Sequence, residues 1–218
     1  PVIFAFATIE GNSLIENLRD PGGNITGVRY PGPDLTAKRL ELLCEMVPSI
    51  KRLWITYDVN YPTSKSALAA LRPAAKARGV SLVEVPVTRV DEIVSELRQR
   101  SQQRDIGFDA MMIMPELHSQ SPMGWNAIRK FAASHKLPIA GNAAIQAEQG
   151  ALFSYAPDIK ENGKLAAILA DKVLKGAPAG KIPVVTPESR LRINYKVAQE
   201  LGLKIDNGLL KMADFVIH

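Results

Sequence analysis

Short apolar, β-branched runs alternate along this chain with longer segments of helical periodicity. Val2–Ala7 is continuously apolar, the pattern of a strand buried in a parallel sheet. Asn12–Arg19 predicts a short helix. Asp20-Pro21-Gly22-Gly23-Asn24 then predicts a turn, because proline stops a helix and glycine tolerates positive φ. Ile25–Tyr30 predicts a second strand. Pro31-Gly32-Pro33 breaks the pattern and reads as a crossover between two lobes.

The alternation then becomes cleaner. Asp34 stands as the N-cap of a helix with Leu35, Leu40, Leu43 and Val47 on one face. Strands are expected at Arg52–Tyr57, Val80–Val87, Phe108–Met114, Leu137–Ala140, Ala151–Tyr155 and Leu191–Tyr195. Helices are expected from Thr63 or Ser66 to about Arg78, and at Val90–Arg104, Pro122–His135, Ala144–Gln149, Pro157–Lys175 and Lys196–Leu201. Repeated strand–helix units between Arg52 and Tyr155 call for a mostly parallel sheet with helices on both faces. The expected fold class is α/β. In such sheets ligands bind beyond the carboxyl ends of the strands.

Composition narrows the function. The 218 residues suit one large domain or two small ones, and 46% hydrophobic content excludes wholesale disorder. The net charge of +5 permits acidic partners without demanding them. Arg98, Arg100 and Arg104 crowd one predicted helix end, but Asp91, Glu92, Glu96 and Asp105 dilute them, and aromatic residues are only 6%. That is a solvated helix end rather than a nucleic-acid surface. The single cysteine, Cys44, excludes an internal disulfide and any metal site built on cysteines. No apolar run reaches the ~20 residues of a membrane helix. The opening Pro1-Val2-Ile3-Phe4-Ala5 has no basic n-region, so no signal peptide is read. Of the explanations, a chain cut from something longer is favoured.

Signatures of catalysis are mostly missing: no phosphate-binding loop, dinucleotide fingerprint, nucleophile elbow or zinc-protease helix. Among three histidines, His218 is terminal and His135 suits a helix C-terminus. His118 follows a predicted strand in Met114-Pro115-Glu116-Leu117-His118. Glu116 and His118 fit either acid–base chemistry or a polar loop lining a groove. No cofactor or metal site is expected.

Turns at predicted strand ends carry a recurring chemistry. Thr8, Glu10 and Asn12 follow the first strand; Asp58, Asn60, Tyr61, Thr63 and Ser64 follow Tyr57. Glu116 and His118, Gly141 and Asn142, and Ser154, Tyr155 and Asp158 mark later strand ends. Neutral hydrogen-bonding groups beside aromatic faces suit a small polar or aromatic molecule. Thr63-Ser64 at a helix start suits a carboxylate. Tyr57, Tyr61 and Tyr155 are the stacking candidates. Trp54 reads as core. Trp125 reads as core too, with groove lining as the alternative.

Several stretches resemble a known family. They are Pro21-Gly22-Gly23-Asn24-Ile25-Thr26-Gly27-Val28, Lys38-Arg39-Leu40-Glu41-Leu42-Leu43, Val47-Pro48, Lys51-Arg52-Leu53 and Leu137-Pro138-Ile139. They continue through Gly150–Asp158, Asp171–Ala177, Ile193-Asn194, Ala198 and Leu201-Gly202-Leu203. In this order they resemble the ABC-transporter substrate-binding family that includes the tryptophan/tyrosine-type binding proteins. The resemblance implies a type I periplasmic-binding-protein fold: two Rossmann-like three-layer lobes with parallel sheets and a ligand cleft between them. It implies residues 1–33 as the remaining part of lobe 1, 34–156 as a complete lobe 2, and 157–218 returning to lobe 1 and the hinge. The first lobe is then incomplete, since relatives begin with further strand–helix units, and its open edge predicts homo-oligomerisation or edge pairing of that lobe. Two loops depart from the family pattern. Thr8-Ile9-Glu10-Gly11-Asn12 replaces an Asp-Pro-Val-like segment, and Asp58-Val59-Asn60-Tyr61-Pro62 replaces Asn-Pro-x-Asn.

The resemblance implies a non-enzymatic, periplasmic or lipid-anchored solute-binding protein whose leader is removed. It would hold an amino acid or aromatic acid and serve an ABC permease. The expected ligand contacts are Thr8 and Glu10 on one side of the cleft, and Asp58, Asn60, Thr63, Ser64, Glu116, His118, Asn142 and Tyr155 on the other side or at the hinge, with Tyr57 and Tyr61 also able to stack. Two other functions fit the residues: a ligand-sensing domain of a regulator or receptor, and an α/β enzyme using Glu116 and His118.

Overall fold

The computed structural model describes residues 1–218. In chain order, β1 (Val2–Ala7) and β2 (Ile25–Arg29) precede α1 (Gly32–Met46), β3 (Arg52–Asp58), α2 (Pro62–Ala77), β4 (Ser81–Val87) and α3 (Val90–Arg100). Then come β5 (Ala110–Met112), α4 (Leu117–Gln120), α5 (Pro122–His135), β6 (Ile139–Gly141), α6 (Ala144–Glu148), β7 (Phe153–Pro157) and α7 (Ile159–Leu174). A 3₁₀ turn at Ala179–Lys181, β8 (Ser189–Asn194), α8 (Tyr195–Glu200), α9 (Asn207–Met212) and β9 (Phe215–Ile217) complete the order. The chain divides into two compact units. One is Pro1–Gly32 with Pro157–Ser189; the other is Pro33–Ala156 with Arg190–His218.

In the first unit β1 and β2 pair in parallel, with a register shift between Ala5 and Ala7. Phe6 sits at that shift with φ 85°, an uncommon value for a bulky side chain, and its ring meets Tyr30 edge-on at 4.9 Å. Gly27 pairs with Phe4, and a Cβ there would overlap the Phe4 carbonyl. Val28, Leu169 and Ile182 form the buried core, with Ile3, Leu165 and Val173 packed on it. The helix expected at Asn12–Arg19 does not form. The Asn12 side chain accepts from Leu14 N–H at 3.0 Å, and Asn17 accepts from Arg19 and Asp20 N–H at 3.0 and 2.8 Å. Asparagine side chains here satisfy the main chain locally and displace the helix.

The second unit holds a seven-stranded sheet in the order β4-β3-β5-β6-β7-β8-β9. β3 pairs in parallel with β4 and β5, β5 with β6, β6 with β7, and β8 with β9. Side-chain alternation divides the core between the two sheet faces. Leu53, Ile55 and Met112 pack with Leu40 and Leu43 of α1 and with Leu68 and Leu71 of α2. Trp54, Met111 and Ile113 pack on the other face with Ile93 and Leu97 of α3 and with Ile128 and Phe131 of α5. Each fully buried leucine or isoleucine contributes about 1.5–3 kcal/mol. Trp54 is core, as read, and its indole N–H reaches Glu96 at 3.2 Å. Trp125 is core as well, with 6% exposure.

Three differences from the sequence reading have physical causes. α1 begins at Gly32, two residues before Asp34, because a proline is accommodated in a first helical turn that needs no N–H there. Asp34 is therefore a first-turn acid and not the cap. The strand expected at Phe108–Met114 is shorter, Ala110–Met112. Residues 190–218, expected with lobe 1 and the hinge, join the second unit. There β8 and β9 extend the sheet, and Leu191, Ile193 and Leu209 enter its core.

Asp109 fastens the start of β3 to the approach to β5. It accepts from the main-chain N–H of Lys51 and Arg52 at 3.0 and 2.8 Å, and Arg52 Nη2 lies 3.1 Å away. Burial alone would raise its carboxyl pKa; the two N–H groups and the guanidinium outweigh that and hold it below the usual carboxylate value. A depressed carboxyl contributes stability above its unfolded-state pKa and loses it as pH falls through the folded-state value. Asp109→Asn is expected to cost about 1–2 kcal/mol near neutral pH. In urea unfolding the gap between the two proteins narrows on acidification below about pH 4.

Candidate functional site

Parallel pairing brings the carboxyl ends of β3, β5, β6 and β7 to one edge of the second unit's sheet. Asp58 closes β3, Glu116 and His118 follow β5, Asn142 follows β6, and Tyr155 lies in β7. Four separate turns therefore share an edge, where side chains from distant parts of the sequence meet.

The β3 end is the most polar part. Asp58 Oδ1 accepts from Asn60 N–H at 2.8 Å, and Asp58 Oδ2 lies 3.3 Å from His118 Nε2. That contact lacks hydrogen-bond alignment, so the buried Nε2 has no formal partner. The Asp58 main-chain oxygen accepts from Tyr61 N–H at 3.3 Å, which leads the chain into α2. Tyr61 occupies the N-cap position without a side-chain cap, and Pro62 opens the helix. Thr63 and Ser64 follow, both buried. The Ser64 hydroxyl, on a residue only 2% exposed, has no hydrogen-bond partner. Asn60 is exposed and Tyr61 half-buried.

Glu116 is wholly buried and caps α4, accepting from His118 N–H at 2.5 Å and Ser119 N–H at 2.6 Å. One carboxylate oxygen goes to each N–H, so Glu116 orients His118 instead of facing a guest. That engagement counts against an acid–base pair of Glu116 with His118. α5 completes the placement. Ser121 Oγ donates to the His118 carbonyl at 2.7 Å and accepts from Gly124 N–H at 3.1 Å. A Cβ at Gly124 would overlap that carbonyl, so the close approach requires glycine. The buried Ser119 hydroxyl is also unpartnered.

Arg39 was missed in the sequence. Its guanidinium is fully buried, and donates from Nε to the Tyr155 carbonyl at 2.8 Å and from Nη2 to the Asn142 carbonyl at 3.4 Å. It thus ties the β6 and β7 turns to α1. The available signal was its spacing: Arg39 lies four residues from both Leu35 and Leu43, on the apolar face of the helix. Gln146 holds the same turn from the other side, accepting from Asn142 and Ala143 N–H at 2.7 and 3.0 Å.

Not every candidate joins this edge. Tyr57 precedes Asp58 in β3, so its side chain takes the opposite face and packs against the core beneath α2. Burial, then the neighbouring Glu84, raises its phenol above the usual pKa, and Arg72 bonds Glu84 at 2.7 Å beside it. Thr8 and Glu10 belong to the first unit. There Glu10 pairs with Arg29 at 2.6 Å, and the Thr8 carbonyl accepts from Asn12 at 2.9 Å.

This fold, with its polar strand-end turns, defines a binding-protein class, and comparisons identify it. The family model for ABC transporter substrate binding proteins matches residues 1–217, and the chain belongs to that family. It has the mostly parallel α/β fold of type I periplasmic-binding proteins. A "Tyrosine-binding protein" of Clostridioides difficile (strain R20291) is 28% identical over 196 residues, covering 88% of this chain and 53% of that protein. The chain therefore spans about half of that relative's length. The crystal structure of an ABC domain from Streptococcus pneumonia in complex with L-Trp is 30% identical, with a TM-score of 0.85, covering 100% of this chain and 72% of that one. A conserved domain protein from Vibrio cholerae shares the fold at 24% identity, with a TM-score of 0.80, over 93% of this chain and 66% of its own.

Glu116→Ala leaves two buried N–H groups without an acceptor and is expected to cost about 2 kcal/mol. Glu116→Gln, which keeps one acceptor oxygen, is expected to fall between the two in urea unfolding.

Proposed function

We propose that this chain is the ligand-holding part of a solute-binding protein that serves an ABC importer outside the cytoplasm. It holds a small aromatic molecule, an amino acid or an aromatic acid, without changing it, and a membrane permease receives that molecule. The observation that carries this reading is the β3 end. There Asp58 lies 3.3 Å from His118, and the turn after β3 leads to the buried, unpartnered Ser64 hydroxyl in the first turn of α2, in a family of substrate-binding proteins. The binding of tryptophan and tyrosine by similar proteins supports an aromatic guest. Tyr61, half-buried at the start of α2, is the stacking ring in this proposal, and Tyr155 frames the far side of the edge. No helix is long and apolar enough to cross a membrane. Self-association belongs to the same proposal. β1 has a partner on one side only, and Val2 is 57% exposed.

A guest that binds only the folded chain stabilises it by about 2.7 kcal/mol at a hundred times its Kd. For a chain of this size that is a rise in Tm of roughly 5–10 °C. Thermal unfolding with tyrosine, tryptophan, phenylalanine and their aromatic-acid analogues is expected to show such a shift for at least one of them. No shift across the whole panel rejects the reading.

A further inference from the structure

The second unit buries a guanidinium completely. Arg39 has 0% exposure and lies in the middle of α1. Leu35 and Thr36 stand one turn before it and Leu42 and Leu43 one turn after, each at most 3% exposed. Its partners are two main-chain carbonyls; no carboxylate is among them, and Nη1 has no partner at all. A cation taken out of water without an acid to pair with is expensive. An apolar side chain of similar volume in such a place often leaves a protein as stable or more so. Methionine would continue the stripe that Leu35 and Leu43 set on this face. Fold stability therefore does not account for an arginine here.

What the guanidinium reaches does account for it. Nε donates to the Tyr155 carbonyl, 116 residues away, and Nη2 to the Asn142 carbonyl, 103 residues away. Gly141 pairs with Ser154 across β6 and β7, so Asn142 and Tyr155 are the next residues of two neighbouring strands. The planar fork of one guanidinium thus sets the spacing between their main chains. The Asn142 turn is held from its other side as well, where Gln146 Oε1 accepts from Asn142 and Ala143 N–H. A Cβ at Gly141 would lie 3.1 Å from both the Gln146 Cβ and the Phe153 carbonyl, so this turn has little slack. Arg39 and Gln146 together clamp it by its carbonyl and its N–H groups.

We infer that Arg39 is a positioning residue for guest binding. It costs fold stability and fixes the Asn142 and Tyr155 main chains in the spacing that a guest at the sheet edge requires. Being wholly buried, it acts through those two residues and not by its own contact. The inference rests on the proposed binding function and adds a residue, remote from β3, that sets the affinity.

The test reads stability and binding separately on the 218-residue chain. Urea unfolding gives the first. Calorimetric titration with tyrosine, tryptophan, phenylalanine and their aromatic-acid analogues gives the second. Arg39→Met is expected to unfold at the same urea midpoint as the unaltered chain or a higher one. It is expected to bind at least about tenfold more weakly. Arg39→Lys keeps the charge without the fork, and its affinity is expected to stay within about threefold of that of Arg39→Met. Gln146→Ala is expected to weaken binding too. Adding Arg39→Met to it is expected to cost less affinity than Arg39→Met does alone, because both act on one turn. A lower urea midpoint for Arg39→Met, or its failure to fold, assigns the residue to stability and overturns the inference. Binding by Arg39→Met or Arg39→Lys within about twofold of the unaltered chain also overturns it, and leaves the binding function standing. Failure of the unaltered chain to bind any of these compounds rejects the binding function itself, and the inference with it.

Discussion

The site depends on one constraint: β3, β5, β6 and β7 run parallel in a single sheet. Parallel strands need crossover helices, and every crossover returns the chain to the amino end of the next strand. Each carboxyl end is therefore left at the same edge, followed by a turn and the start of a helix. Asp58, His118 and Asn142 stand along one edge for that reason, not through any closeness in sequence. The two apolar cores that clamp the sheet, with Leu53 and Ile55 on one face and Trp54 and Met111 on the other, hold the edge rigid. A rigid edge lets a few polar groups select a guest without rearranging.

The buried polar groups of the second unit divide into those the protein satisfies internally and those it leaves open. Glu116 and Gln146 are engaged in capping turns, and Arg39 binds the Asn142 and Tyr155 carbonyls through Nη2 and Nε while its buried Nη1 has no partner. These groups hold the loops in place. Ser64 and Ser119 are buried with free hydroxyls, and His118 faces Asp58 without alignment. A polar atom buried without a partner is costly in a folded protein.

Local competition shaped the first unit. Periodicity at Asn12–Arg19 suits a helix, but asparagine side chains satisfy the nearby N–H groups in a turn, at little cost in lost hydrogen bonds. Glu10, a carboxylate after a strand, is held by Arg29, nineteen residues on, at 2.6 Å. Tyr57 is a third instance. Its position at the end of a strand suggested stacking, and the strict alternation of a strand turned it to the opposite face from Asp58.

The amino-acid sequence alone determined the α/β class, the order of most strands and helices, the burial of Trp54 and the turns worth inspecting. These follow from short-range rules: periodicity, proline and glycine punctuation, and the placement of strand ends in parallel sheets. The tertiary structure decided which neighbours each candidate has. It set Glu116 in a helix cap, Glu10 beside Arg29 and Tyr57 against the core. It brought residues 190–218 into the second unit's sheet and placed Arg39 under the β6 and β7 turns. The Glu116 cap is local, but the others rest on partners farther along the chain, 19 residues between Glu10 and Arg29 and 116 between Arg39 and Tyr155. The availability of a polar group depends on which distant neighbour reaches it first, and no local pattern records that.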